Sequence, residues 1–159
     1  MKAIYPGTFD PFTIGHLEVV KKSLKLFDSV VIGVALDTGR QNQAPIEKRI
    51  EIVKRSVEGL KNVNVVAFEG LLTDFLKNQG TSYLVRGLRN EKDFLAEQPL
   101  SQIYHSQNQN IKPVYFITSP QFSHISSSMV RELLRLNGDI SEFVANEAKP
   151  LILATYFSF

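Results

Sequence analysis

Three polar segments of this 159-residue chain carry side chains suited to handling a phosphorylated ligand. The first, Tyr5-Pro-Gly-Thr-Phe-Asp-Pro-Phe-Thr-Ile-Gly-His16, places small and turn-forming residues ahead of a helical pattern. Gly7 and Gly15 would let the backbone approach a ligand closely, and free N–H groups at a helix start favour an anion. His16, at the entrance of that helix, could donate a hydrogen bond to phosphate oxygens. Read more plainly, Pro-Gly and Asp-Pro make turns and His16 caps a helix, and spacing alone leaves both readings open. The second segment, Arg86-Gly-Leu-Arg89, is followed by Asp93, Phe94 and Glu97. Two guanidiniums three residues apart can clamp a polyphosphate, because each offers a rigid fork of donors; alternatively they form surface ion pairs with Glu91 or Asp93. The third, Ser119-Pro-Gln-Phe-Ser-His-Ile-Ser-Ser-Ser128, ends in three hydroxyls before MVRELLRL. Serines there are natural N-caps, and their hydroxyls and N–H groups would serve a phosphate equally well.

Composition removes several other chemistries. The chain has no cysteine and three scattered histidines, His16, His105 and His124, which excludes disulfide frameworks and Cys-based zinc sites and argues against an all-His metal site. It is 43% hydrophobic and 21% charged with a net charge of +2. That small basic excess does not argue for nucleic acid, and small anions remain as ligands. No apolar run approaches the roughly 20 residues of a membrane span, so the expectation is a cytoplasmic protein without a membrane partner. The glycines of the first segment fit neither a Walker A loop nor a GxGxxG fingerprint.

Elements that could position these segments follow from periodicity. Lys2 to Tyr5 predicts a strand ended by Pro6-Gly7, and Leu17, Val20, Leu24 and Phe27 recur at helical spacing. Ser29 to Leu36 is a continuous apolar run, as expected of a strand covered on both faces of a parallel sheet. A helix follows Pro45, with Ile46, Ile50, Val53 and Val57 as its apolar stripe before Gly59. Further strands are expected at Val63 to Phe68, Ser82 to Val85 and Val114 to Thr118. Helices are expected at Leu71 to Asn78, at Asp93 to Ser106 with an interruption at Pro99, and at Ser127 to Leu136 before Asn137-Gly138. Five strands separated by helices predict a doubly wound α/β sheet in one domain, 1–159. The apolar stretch 151–159, LILATYFSF, is expected to pack on that domain or on a neighbouring subunit. In such a sheet ligands bind at the carboxyl ends of the strands where strand order reverses, and all three polar segments fall at such ends.

Thr13-Ile14-Gly15-His16 resembles the (His/Thr)-x-Gly-His motif of the nucleotidyltransferase superfamily. Together with GTFDP, RGLR(x)3DF and ISSS(x)VRE in that order, it resembles the bacterial phosphopantetheine adenylyltransferases over nearly the whole chain. The resemblance implies a Rossmann-like fold and a homo-hexamer dependent on Mg2+. The implied reaction is reversible transfer of AMP from ATP to 4′-phosphopantetheine, giving 3′-dephospho-coenzyme A and pyrophosphate, the penultimate step of coenzyme A synthesis. Coenzyme A itself would be a feedback ligand. By the same resemblance His16 stabilises the transition state at the α-phosphate, Thr8 aligns the attacking phosphate and Arg86 holds the phosphopantetheine phosphate. Gly87, Leu88, Arg89, Ser126, Ser127 and Ser128 would cradle ATP phosphates. The backbone of Thr8 and Phe9, with Glu97, Phe122, Ser123, His124 and Ile125, would bind the rest of the nucleotide. Leu71 and Leu72 match the region lining the pantetheine arm, or are plain core.

The chain departs from the family pattern at several points. Arg40 stands where a lysine usually contacts the substrate phosphate, Ala96 replaces a tyrosine, and Ile103-Tyr104 replace a Met-Asn pair. Pro99 enters the same helix, and His124 takes an aromatic apolar position. Alternatives are a cytidylyltransferase or nicotinamide-mononucleotide adenylyltransferase of the superfamily, or a drifted nucleotide-binding module. The His-Ile-Ser-Ser-Ser128 element favours adenylyl over cytidylyl transfer, and retention of His16, Arg86 and Arg89 favours an enzyme.

Overall fold

The computed structural model describes residues 1–36 and 44–157. Its strands are β1 (Lys2–Gly7), β2 (Ser29–Ala35), β3 (Val63–Phe68), β4 (Tyr83–Leu88) and β5 (Lys112–Ile117). Between and after them run α1 (Ile14–Ser23), α2 (Ile46–Ser56), α3 (Leu72–Asn78), α4 (Glu91–Gln107), α5 (Ser127–Arg135) and α6 (Lys149–Tyr156), with a 3-10 turn at Pro120–Phe122. All pairings are parallel, in the order β3-β2-β1-β4-β5. The fold is therefore a Rossmann-like, doubly wound five-stranded sheet with helices on both faces. Chain progression reverses between β1 and β4, which is the switch point.

Side-chain alternation along the strands builds a core on each face. Ala3 and Tyr5 of β1 join Ile32 of β2 and Val85 of β4 beneath α1, α2, α5 and α6, while Ile4, Val31 and Leu84 pack with Phe75 and Leu76 of α3 on the other side. The stretch from Leu151 forms most of α6 and packs on its own domain: Ile152 is fully buried and Tyr156 is 8% exposed.

Several element boundaries differ from the sequence expectation, each for a local reason. β1 continues through Pro6-Gly7. It pairs with β2 as far as Gly7↔Val34 but with β4 only at Ala3 and Ile4, so on the β4 side Pro6 has no ladder bond to lose. β4 likewise runs through Arg86-Gly87-Leu88, paired with β5 up to Leu88↔Ile117; the second motif begins inside the strand rather than after it. α1 starts at Ile14, one turn ahead of the first stripe residue Leu17, because Thr13 caps it. α4 passes through Pro99 without interruption. The carbonyl that Pro99 leaves unbonded belongs to Leu95, 64% exposed on the solvent face, where water can satisfy it. α5 ends as expected: Asn137 adopts φ 55° and the Gly138 N–H bonds Leu133 O at 2.7 Å.

Candidate active site

Beyond Ile4 the first and fourth strands part, and their diverging carboxyl ends open a cleft of about 420 Å³. The turn between β1 and α1 forms one wall, the end of β4 with α4 a second, and the start of α5 a third.

The turn positions His16 through a capping box. Thr13, in extended backbone, is the N-cap; its hydroxyl accepts the His16 N–H at 3.4 Å, and its own N–H donates to His16 Nδ1 at 3.0 Å. An Nδ1 that accepts leaves the proton on Nε2, so the ring presents one N–H donor. The imidazole packs on Tyr5, Phe9 and Phe12, with centroids 6.4, 5.2 and 5.2 Å away. That burial, with the Arg89 charge adding to it, pushes its pKa down to about 3. His16 is therefore neutral at pH 7, a hydrogen-bond donor and not a cation.

Gly15 lines the cleft immediately before it. A Cβ there would meet nothing closer than Thr13 Oγ1 at 3.6 Å, an ordinary contact distance, so folding does not demand glycine at this position. Gly7 and Gly87 are different: a Cβ would fall 2.7 Å from the Phe9 ring and 2.9 Å from Val19 Cγ2. Phe9 adopts φ 50°, turning its ring into the core at 3% exposure while its backbone borders the cleft.

Both motif arginines are held by one face of α4. Asp93 and Glu97 stand four residues apart on it, the spacing that aligns side chains along a helix. Arg89 donates from Nε and Nη2 to the two oxygens of Asp93 at 3.0 and 3.2 Å, and from Nη1 to the Ile125 carbonyl at 3.4 Å. Arg86 donates from Nε to Glu97 Oε1 at 2.8 Å and pairs with it again through Nη2. Burial works against the Arg86 charge, but the hydrogen bond and charge of Glu97 outweigh it and hold the guanidinium firmly ionised. Glu97 is 8% exposed, and its Oε2 has no hydrogen-bond partner.

At the start of α5, Ser126 caps the helix by accepting the Met129 N–H at 3.1 Å, and the Ser127 hydroxyl donates to the Pro11 carbonyl at 2.7 Å. These hydroxyls tie the third segment to the first and leave the early backbone N–H groups of α5 at the cleft, an anion-binding arrangement. Arg131, one turn further on, also lines it and donates to the Asp10 carbonyl at 2.6 Å.

Thr8, Phe9, His16, Arg86, Gly87, Arg89, Glu97, Ile125, Ser126, Ser127 and Ser128 all border this one cleft. Leu72, Leu88, Phe122, Ser123 and His124 do not. Leu72 packs on the core face that holds Phe75, Leu88 is 9% exposed at the end of β4, and the His124 ring stands edge-on to Phe143. Phe122 contributes backbone near the site, its carbonyl 3.9 Å from where a Gly15 Cβ would be. Arg40 lies outside the described residues. Reasoning from sequence overlooked Asp10 and Arg131 as cleft residues. The signal for Arg131 was available, since it sits four residues after Ser127 on a helix already expected there.

Known proteins resemble this chain at three levels: family profile, sequence and fold. The profile of the cytidylyltransferase-like family matches residues 4–133. A relative named phosphopantetheine adenylyltransferase from Lachnoclostridium phytofermentans is 42% identical over 153 residues, 96% of this chain and 94% of that protein. Another of the same name, from Campylobacter hominis, is 42% identical over 149 residues, 94% of each chain. Among solved structures, a putative nicotinate-nucleotide adenylyltransferase from Vibrio parahaemolyticus superposes with a TM-score of 0.76 over 99% of this chain and 96% of its own. At 20% identity that likeness speaks for the fold alone.

Proposed function

The chain belongs to the cytidylyltransferase-like family and, within it, to the phosphopantetheine adenylyltransferases, and from that membership we propose how its cleft works. The enzyme transfers AMP from ATP to 4′-phosphopantetheine, producing 3′-dephospho-coenzyme A and pyrophosphate. The observation that carries the mechanism is the neutral His16 imidazole, its Nε2–H free to donate, at a helix N-terminus flanked by Arg86 and Arg89.

The nucleophile is a phosphate oxygen of 4′-phosphopantetheine, ionised at pH 7, so no residue needs to remove a proton. It attacks the α-phosphorus, the new P–O bond forms, and the bond to the β-phosphate oxygen breaks with its electron pair leaving on pyrophosphate. The site must align two polyanions that repel by about 4 kcal/mol per pair of unit charges at 4 Å in an effective dielectric of 20. Arg86 would hold the acceptor phosphate and Thr8 would align it. Arg89 with the N–H groups of Gly87, Leu88 and Ser126 to Ser128 would take the β- and γ-phosphates. His16 Nε2–H would donate to the α-phosphate oxygen, where charge accumulates in the transition state. Phe9 backbone, Glu97 and the 122–125 segment would receive the remainder of the nucleotide, and Leu72 and Arg40 the pantetheine side.

The hydroxyls, amides and guanidiniums of the cleft suit polyphosphate oxygens, and among the described residues no three acidic or imidazole groups converge on one point. A Mg2+ ion would therefore be carried chiefly by the nucleotide's own oxygens, where it would supply charge neutralisation. A homo-hexamer follows from the family's likeness, and Phe94, Leu95 and Ile103 of α4 with Ile117 of β5, each 51–76% exposed, are apolar side chains that subunit contacts would cover. Coenzyme A as a feedback ligand is supported by its sharing the pantetheine arm with the acceptor. A cytoplasmic enzyme fits the absence, among the described residues, of any helix long and apolar enough to cross a membrane.

The test is a substrate panel with Mg2+. Pyrophosphate should be released with ATP and 4′-phosphopantetheine, and dephospho-coenzyme A should form. Product only with CTP would select a cytidylyltransferase, and ATP binding without product would reduce the chain to a binding module.

A further inference from the structure

The phenol of Tyr156 comes from the last helix, far in sequence from the three cleft motifs, yet it ends on the turn that shapes the nucleotide cleft. Tyr156 is 8% exposed, and its hydroxyl donates to Asp10 Oδ1 across a separation of 146 residues. The same oxygen accepts the Ala44 N–H at 3.2 Å. Asp10, 5% exposed, directly follows Thr8 and Phe9, whose backbone borders the cleft.

Two other helices grip this turn through its backbone. Arg49 of α2 donates from Nη1 to the Thr8 carbonyl at 2.8 Å and to the Ala35 carbonyl at 2.9 Å, and Arg131 of α5 donates to the Asp10 carbonyl at 2.6 Å. These bonds fix where the main chain runs. The carboxylate of Asp10 is a separate handle, and α6 places the phenol on it. The turn needs such restraint because Phe9 sits in the left-handed region at φ 50°, a conformation that a bulky residue keeps only when its surroundings enforce it. Burial, and next the Asp10 carboxylate, push the Tyr156 pKa upward, so the phenol stays protonated and remains the donor.

We infer that Tyr156 is a positioning residue for nucleotidyl transfer: through Asp10 it holds the turn that carries Thr8 and Phe9 in the pose the reacting phosphates require. The kinetic readout rests on the adenylyl-transfer reading above. An error of the order of an ångström in a positioned group can cost up to about a hundredfold in rate, so a loosened turn should show in kcat before it shows in nucleotide affinity.

The experiment compares the full-length chain with Tyr156→Phe, Asp10→Ala and the double variant; alanine removes the oxygen that accepts the phenol, which asparagine would keep. At saturating ATP and 4′-phosphopantetheine, Tyr156→Phe should lower kcat about tenfold while KM for ATP stays within about twofold, and in the Asp10→Ala background the same change should have little further effect. Hydrogen exchange of the ligand-free protein should be faster in a peptide spanning 8–12 and unchanged in β2 and β3. An intact kcat, an equal drop in the Asp10→Ala background, or unaltered exchange of the turn overturns the inference. If Asp10→Ala does not fold, the KM-against-kcat split and the exchange measurement of Tyr156→Phe decide alone. If the wild-type chain releases no pyrophosphate, the activity reading fails instead, and the exchange result decides whether Tyr156 holds the turn.

Discussion

Replacing His16 with alanine separates its chemical role from its structural one. The variant loses the Nε2–H donor proposed to meet the α-phosphate, and removing one preorganised donor of that kind costs about 10² to 10³ in kcat. ATP binding should weaken far less, because the contact strengthens as charge accumulates in the transition state. Structurally, the variant loses the acceptor for the Thr13 N–H, in a residue 2% exposed, and the ring contacts to Phe9 and Phe12. Together these losses amount to about 2 kcal/mol at pH 7.5. The pH dependence has a fixed sign. Folding lowers the His16 pKa from 6.5 to about 3, so between those values the unfolded chain holds a proton that the folded one does not. The stability that the neutral imidazole supplies is fully present above 6.5 and is lost as pH falls toward 3. Alanine has no such dependence, so the stability gap between wild type and variant should shrink from pH 7.5 to pH 5. Urea titrations at both pH values, pyrophosphate release and calorimetric ATP titration measure all three effects. Equal losses in kcat and ATP affinity, or a stability gap independent of pH, would refute the assignment of a neutral, donating His16.

Three further substitutions test the surrounding architecture. Gly33→Ala would drive a Cβ to 2.5 Å from Phe75 Cε1 and 3.2 Å from Phe68 Cδ1, a core overlap expected to cost about 1–3 kcal/mol in urea denaturation. Gly15→Ala places a Cβ at an ordinary contact distance of 3.6 Å in the folded chain, so its melting temperature should match wild type while ATP affinity falls; an unchanged Kd would mean that no ligand approaches Gly15 closely. Glu97→Gln leaves the Arg86 guanidinium without its countercharge and should destabilise the ligand-free protein by about 3 kcal/mol. The phosphate of 4′-phosphopantetheine can replace that charge, so this substrate should raise the melting temperature more in this variant than in wild type, and an equal rise would show that Arg86 does not meet the acceptor phosphate.

Much of this protein was legible as a string because its signals are local. The apolar runs 29–36 and 63–68 mark buried parallel strands, the helical stripe 46–57 marks the crossover between them, the stripe 127–136 marks a helix after the last strand, and the small-residue turn before His16 marks a segment that lines the cleft. Such patterns depend on neighbours a few residues away. Boundaries were less legible where a distant strand decides them: Pro6-Gly7 resembles a stop until β2 pairs alongside, and Pro99 resembles a break until the solvent face of α4 satisfies the freed carbonyl.

Residue types at their spacings determined the sheet class, the three cleft segments and the need for a site built without cysteine. Tertiary structure decided what those side chains do when no ligand is bound. His16 is a neutral donor because folding takes much of its ring out of water and brings the Arg89 charge near it, whereas an imidazole in the unfolded chain would stay near 6.5. Arg86 and Arg89 are clamped by Glu97 and Asp93 because α4 packs beside β4. The Tyr156–Asp10 contact exists only because the chain's last helix returns to its first turn. Propensity and periodicity act over a few residues, while hydrogen bonds, desolvation and charge act over ångströms in space, and only folding converts one distance into the other.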